Sequence, residues 1–192
     1  MRVVVIGSSG AGKSTFGRRL AEACDLKHIE LDALNWAPGW RNRSAAAPEE
    51  FERLIEMAIA ADCWIIDGNY RAAMARALPK ATHLIWLDFR RDVVMRRVIW
   101  RSFARAISGQ EVWPGSGNRE SFHSWLDKGY PIRESWDSFH RWRMQHTQLF
   151  AEPQLSRLDR RRLGDPRETA RLISELSGWS CRGSIATPPD SR

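Results

Sequence analysis

The sequence predicts an α/β protein, with a five-stranded parallel sheet flanked by helices and a helical lid insertion beside it. Three observations predict this class. Short runs rich in β-branched and apolar residues alternate with segments of helical period. The first run, Arg2 to Ile6, passes directly into the glycine-rich turn Gly7-Ser8-Ser9-Gly10-Ala11-Gly12. Later runs end in acids, Asp32, Asp67 and Asp88, at what would be the carboxyl edge, where open parallel sheets bind their ligands.

Each element has its own warrant. Arg2 to Ile6 reads as a buried strand. Lys13 to Cys24 has helical spacing, with Phe16, Leu20 and Ala23 on one face. His28 to Leu31 is a short second strand, and residues 35 to 47, with Gly, Pro, Asn and Ser, read as a loop. Pro48 opens a helix in the first-turn position that suits its missing N–H, with Glu49 and Glu50 at the positive end of the dipole. That helix is expected to run to about Ala61. Trp64 to Asp67 is the third strand, ended by Gly68-Asn69, and Arg71 to Leu78 is a short helix stopped near Pro79. His83 to Asp88 is the fourth strand, followed by a helix from Val93 to about Ile107. Residues 108 to 118 form a Gly/Pro/Ser loop, and 119 to 150 look helical with a break at Gly129-Tyr130-Pro131. A fifth strand is expected near 155 to 163. Its three arginines, Arg160, Arg161 and Arg162, cannot all be buried, so it is either an exposed edge strand or bounded differently. Asp165-Pro166-Arg167-Glu168 has the form of a capping box for a last helix ending near Leu176. Residues 1 to 177 then make one domain, with a lid or arm over about 90 to 150, and residues 178 to 192 a frayed tail.

Bulk properties narrow the class of function. The chain has 192 residues and is 43% hydrophobic, enough for a core. No apolar run approaches the roughly 20 residues needed to cross a bilayer. The N-terminus carries no signal-peptide pattern, so a cytoplasmic location without a membrane partner is expected. Cys24, Cys63 and Cys181 are widely spaced without a Cys-x-x-Cys, which suggests reduced thiols rather than a disulfide framework or zinc site. The formal net charge is +7, and much of the excess lies in residues 90 to 150, where eleven Lys and Arg stand against six acids. Such a balance suits nucleic acid, an acidic surface, a small polyanion, or simply a solvated basic face.

The chemistry begins at Gly7. Gly7-Ser8-Ser9-Gly10-Ala11-Gly12-Lys13-Ser14-Thr15 satisfies G-x-x-x-x-G-K-[ST], with a strand before it and an amphipathic helix after it. In such a P-loop the backbone N–H groups and the helix N-terminus cradle phosphate oxygens. Lys13 can reach the β- and γ-phosphates and Ser14 can ligate Mg²⁺, so ATP and Mg²⁺ are the expected cofactors. The absence of Asn-Lys-x-Asp argues against a guanine-selective GTPase. Phe89 follows Asp88 where motor-type ATPases carry a second acid, which argues against a hydrolytic machine. Asp67, followed by Gly68, can hold a Mg²⁺-bound water; the bland alternative is a turn acid, as for Asp32 it is a cap.

Here the residues resemble a family. Trp64-Ile65-Ile66-Asp67-Gly68-Asn69-Tyr70-Arg71 is similar to the apolar-Asp-Gly-x-x-Arg segment of adenylate-kinase-like enzymes. Together with Ile29-Glu30-Leu31-Asp32-Ala33-Leu34-Asn35-Trp36 and Pro38-Gly39-Trp40 it resembles the topology-modulation-protein family of small P-loop kinases, over roughly residues 2 to 176. The resemblance implies a P-loop NTPase three-layer fold, a Mg²⁺ role for Asp67, and an acceptor-phosphate role for Arg71. It also implies that lid arginines close over the transferring phosphoryl group. Arg97, Arg101 and Arg105 are spaced i, i+4, i+8 and share a helical face beside Arg96. A solvated basic face is the plain alternative.

Of the ten tryptophans, Trp64 and Trp86 fall in strands and are expected in the core. Trp36 and Trp40 follow Asp32 and either stack an acceptor's ring or pack their own loop. The Trp/Arg mixture from 100 to 143 suits a lid with a small core, or single-stranded nucleic acid. No histidine pair has ligand spacing, and His28 and His83 are expected to pack. The expected activity is transfer of the γ-phosphoryl group of Mg·ATP to a small acceptor, a nucleotide first. An alcohol acceptor with Asp32 as base, and an ATP-gated nucleic-acid-binding regulator, are the rivals.

Overall fold

The computed structural model describes residues 1–120, 130–179 and 181. Five parallel strands form one sheet: β1 (Arg2–Gly7), β2 (Lys27–Glu30), β5 (Trp64–Asp67), β6 (His83–Leu87) and β7 (Asp159–Leu163). Their order is β2-β5-β1-β6-β7, which puts the most apolar strand in the centre and the arginine strand at the edge. Period-two alternation builds two cores from β1 alone. Val3 and Val5 face α1 (Lys13–Cys24), α6 (Arg91–Ser108) and α8 (Glu168–Leu176) through Phe16, Leu20, Val94, Val98 and Leu172. Val4 and Ile6 face α4 (Pro48–Ala58) and α5 (Arg71–Ala77) through Phe51, Ile55, Ala73 and Ala77. The result is the three-layer α/β architecture, and Trp64 and Trp86 are buried in it as expected.

Several expectations are corrected. Residues 35 to 47 are not a plain loop. They hold the short antiparallel pair β3 (Trp36–Ala37) and β4 (Arg41–Asn42), joined by a 3-10 turn at Pro38–Trp40, and the helical turn α3 (Arg43–Ala46). Asp32 does not end a strand; it lies in the one-turn helix α2 (Leu31–Asn35). The helix from Pro48 stops at Ala58, before Ala61. In the 90 to 150 region, α7 (Pro131–Ala151) packs on the sheet's two cores. It contributes Phe139 to one core and packs Leu149 and Phe150 against the other. Residues 121 to 129, including part of the expected helix and its break at Gly129, lie outside the described residues.

The cysteines overturn the reduced-thiol expectation in part. Cys63 and Cys181 form a disulfide, with Cα atoms 6.1 Å apart across 118 residues of chain, while Cys24 is a buried free thiol. The tertiary fold returns the end of α8 to the start of β5, a proximity that spacing along the chain cannot reveal. The start of the expected tail is therefore held. Trp179 packs against the core, and its N–H donates to Leu176 O. The rest of that tail, residue 180 and residues 182 to 192, lies outside the described residues.

The arginine strand resolves as an edge strand with occupied guanidiniums. Arg160 donates to Phe150 O, Arg161 to Asp159 and Glu175, and Arg162 to Asp88. Asp88 is buried and also accepts from Arg143 Nε at 2.9 Å. A strand whose charges are consumed internally offers little to a phosphate backbone. No helix among the described residues is long and apolar enough to cross a membrane.

His146, on α7, carries a pH prediction. Its ring stacks on Trp142 at 5.7 Å and meets Trp86 edge-on at 6.1 Å, with Nδ1 buried and unpartnered among the described residues. Burial, with a smaller contribution from Lys13, lowers its pKa from 6.5 to about 4. The unfolded chain therefore binds a proton that the folded chain does not. Stability that is fully present above pH 6.5 is lost as the pH falls toward 4, by up to about 3 kcal/mol. Urea midpoints of the wild type and His146→Phe, compared between pH 7 and pH 4.5, should show a shallower acid loss in the variant. Equal slopes would remove this role.

Candidate phosphate-binding site

The P-loop sits at the carboxyl edge of β1, between α1 and α6. Gly10 and Gly12 hold φ values of 83° and 95°, a left-handed region that favours glycine. At Gly10 close packing adds a second constraint. A Cβ there would stand 2.0 Å from Val98 Cγ2, so α6 lies directly on the loop. This approach brings the arginine face of α6 to the P-loop. Gly10→Ala is expected to cost about 1–3 kcal/mol of stability through strain and to weaken nucleotide binding. A denaturation midpoint and nucleotide affinity both unchanged in that variant would contradict it.

The loop's polar contacts fall in two groups, one at the Gly7 and Ser8 carbonyls and one at Asp67 and Glu30. Lys13 Nζ donates to Gly7 O at 3.0 Å and Ser8 O at 3.1 Å, and burial pushes its pKa down. Ala11 N–H donates to Ser8 O, and Asn69 Nδ2 donates to Gly7 O at 2.8 Å, which ties the β5–α5 turn to the loop. Ser14 Oγ lies 2.9 Å from Asp67 Oδ1 and 3.2 Å from Glu30 Oε1. Parallel register explains this meeting, because Glu30 pairs with Asp67 across β2 and β5. Asp67 is 2% exposed. Ser9, Gly10, Ala11, Gly12, Lys13, Ser14 and Thr15 all border one cavity of about 1520 Å³, whereas Ser8 stands just behind it, mostly buried.

The expected acceptor and lid residues border the same cavity. Tyr70 OH donates to Asp32 Oδ1 at 2.7 Å. Burial first, then the Asp32 carboxylate, push the phenol's pKa well up, so it remains a donor. Arg71, at the first turn of α5, is exposed at the rim. Arg97 donates to Ala11 O at 2.8 Å and lies over Phe89, so it braces the loop as well as facing the cavity. Arg101 reaches deeper; its Nε is buried without a hydrogen-bond partner among the described residues, and burial lowers its pKa. Arg105 is different, because its guanidinium is paired with buried Glu120 at 2.9 Å.

Residues that the sequence did not single out line or brace the walls. Trp113 Nε1 donates to Glu30 Oε1 at 3.1 Å. Asn118 is 1% exposed and bridges the β3–β4 pair, accepting from Trp40 N–H and donating to Ala37 O. The segment after α6 is thereby clasped to the hairpin after Asp32. Trp36 and Trp113 each meet Trp40 edge-to-face, at 5.8 and 6.0 Å, so these rings pack against one another at the cavity's border. The sequence signals for Glu30 were its place in the family-like segment from Ile29 to Trp36 and at a strand's end, two residues before Asp32. Trp113 and Asn118 lie about 80 residues from their partners and left no signal.

The donor set fits a nucleotide polyphosphate and a divalent cation. Two left-handed glycines shape the loop, Arg101 borders the cavity with its Nε unpartnered among the described residues, and a hydroxyl stands between two carboxylates.

No protein-family model matches the chain, and no curated protein matches it. Among solved structures it is similar to the crystal structure of shikimate kinase from Bacteroides thetaiotaomicron. That match has 14% sequence identity and a TM-score of 0.52, and covers 93% of this chain and 97% of the other. At that identity the likeness is one of fold: the chain has the P-loop α/β fold seen in shikimate kinase, over nearly its full length.

Proposed function

We propose that the protein is an ATP-dependent phosphotransferase that moves the γ-phosphoryl group of Mg·ATP to a small acceptor. The observation that carries this reading is one cavity bordered by the P-loop, Asp32 and the arginines of α6 together. In this reading the backbone of residues 8 to 14 and Lys13 hold the triphosphate. Ser14, and Asp67 through water, hold Mg²⁺, which supplies charge neutralisation when bound. Arg97 and Arg101 approach the γ-phosphate from α6, where charge spreads over the equatorial oxygens in transfer. The chain's own contribution is positioning and electrostatics, with water kept out by the clasp of Trp113 and Asn118.

The acceptor we favour is a nucleotide. Arg71 and Arg119 border the cavity and suit an anionic acceptor, and Asp67-Gly68-x-x-Arg71 matches the nucleotide-kinase segment. The same motifs support membership of the topology-modulation-protein family. A second reading, a hydroxyl acceptor, is favoured by Asp32, whose carboxylate is fixed by Tyr70 inside the cavity. The likeness in fold to shikimate kinase is compatible with it. Binding to nucleic acid is disfavoured by the internally paired arginines of β7.

The test is ADP release from Mg·ATP with panels of nucleoside monophosphates, nucleosides and hydroxy acids. One class should raise release well above the rate with ATP alone, and omission of Mg²⁺ should abolish it. A protein that binds no nucleotide and transfers to no acceptor would sink the reading.

A further inference from the structure

His28, expected from sequence only to pack, stands at the base of the Mg²⁺ side of the site. It lies on β2 two residues before Glu30, so alternation sends both side chains to the face covered by α1. Its Nε2 is 2.6 Å from Asp67 Oδ2, while Asp67 Oδ1 receives Ser14 Oγ at 2.9 Å. The two oxygens of a carboxylate that is 2% exposed are thus held by two different elements. A carboxylate only accepts, so Nε2 carries the hydrogen and the imidazole donates.

The helix above makes room for this contact. Gly17 is buried on α1, one turn after Ser14, with no unusual φ to explain it. A Cβ at Gly17 would stand 2.6 Å from His28 Nε2 and 3.3 Å from Asp67 Oδ2. A glycine in a helix interior costs about 1 kcal/mol relative to alanine. Here its lack of a side chain is what lets the imidazole reach the carboxylate.

We infer that His28 is a positioning residue for the divalent cation: by donating to Asp67 Oδ2 it fixes the carboxylate plane so that Asp67 and Ser14 together present a preformed Mg²⁺ site, and Gly17 is the space this arrangement requires. The inference rests on the reading of the P-loop as a Mg·nucleotide site. His28 does not touch the cation. It orients the carboxylate that holds the cation's water, and loss of such supporting partners typically costs about 10–100-fold in metal affinity.

The experiment is calorimetric titration of ADP into the full chain, with excess Mg²⁺ and with EDTA, together with thermal melts. The readout is the factor by which Mg²⁺ tightens ADP binding. His28→Leu should shrink that factor by about 10-fold or more, with ADP affinity in EDTA unchanged. His28→Gln, whose amide N–H can reach the same oxygen, should retain part of it. Gly17→Ala should reproduce the loss with His28 still present, which keeps the test decisive if the leucine variant folds poorly. A Mg²⁺ factor unchanged in both His28→Leu and Gly17→Ala overturns the inference. So does an equal loss with and without Mg²⁺, which would mark a purely structural role. A wild type whose ADP binding ignores Mg²⁺ would remove the Mg·nucleotide reading itself, and this inference with it.

Discussion

Asp32→Asn is expected to lower kcat by about 10²–10⁴-fold if the acceptor is an alcohol, the range for loss of a positioned general base. The carboxylate is well placed for that work. Tyr70 OH fixes Oδ1 at 2.7 Å, and both residues border the cavity that the P-loop lines. The loss would then lie in the chemical step, and raising Mg²⁺ would not restore it. If the acceptor is a nucleotide, its phosphate oxygen is already nucleophilic and no proton must leave. Asp32→Asn should then cost little, while Arg71→Ala should raise the acceptor's KM and slow transfer. Single-turnover rates of both variants with the best acceptor decide between them. We favour the nucleotide outcome. A wild type that phosphorylates an alcohol and no monophosphate, and that is inactivated by Asp32→Asn at every Mg²⁺ concentration, would reverse that preference.

The second large effect is expected at Lys13. Lys13→Ala should lower phosphoryl transfer by about 10²–10³-fold, the loss typical when one preorganised charge at a developing anion is removed. Burial depresses the pKa of Lys13, and its Nζ rests on the loop carbonyls of Gly7 and Ser8. A phosphate entering the cradle would supply the counter-charge that favours the ammonium form. The side chain belongs to neither apolar core, so thermal stability should change little. Steady-state turnover, nucleotide titration and a thermal melt of the same preparation check all three points. Unchanged turnover and affinity would remove the P-loop from the mechanism.

Much of the scaffold was legible in the sequence because its signals are local. The β-branched run from Val3 to Ile6, the helical spacing of Phe16 and Leu20, and the glycines and Lys13-Ser14 at fixed offsets each act within a dozen residues. Alternation of strands with helices implied a parallel sheet, and parallel strands place their carboxyl ends on one edge. The arginines of β7 could be assigned to an edge because a central strand has nowhere to solvate them. Errors arose where tertiary contact overrode local pattern. Residues 36 to 42 carry turn formers, yet they pair as a hairpin whose Trp40 N–H and Ala37 carbonyl are held by Asn118.

The sequence by itself determined the three-layer class, the P-loop turn between the first strand and the first helix, and the placing of Asp67 at a strand's carboxyl end. Those features depend on backbone freedom and residue period, which short stretches encode completely. Only the tertiary structure decided which side chains share a point in space. It brought His28 and Ser14 to opposite oxygens of Asp67, seated Val98 against Gly10 and so aimed the α6 arginines, tied Trp113 to Glu30, and joined Cys63 to Cys181. Each of those contacts depends on strand order, register and helix approach. These are set by how the two cores close-pack around β1, so no one segment of the chain carries them.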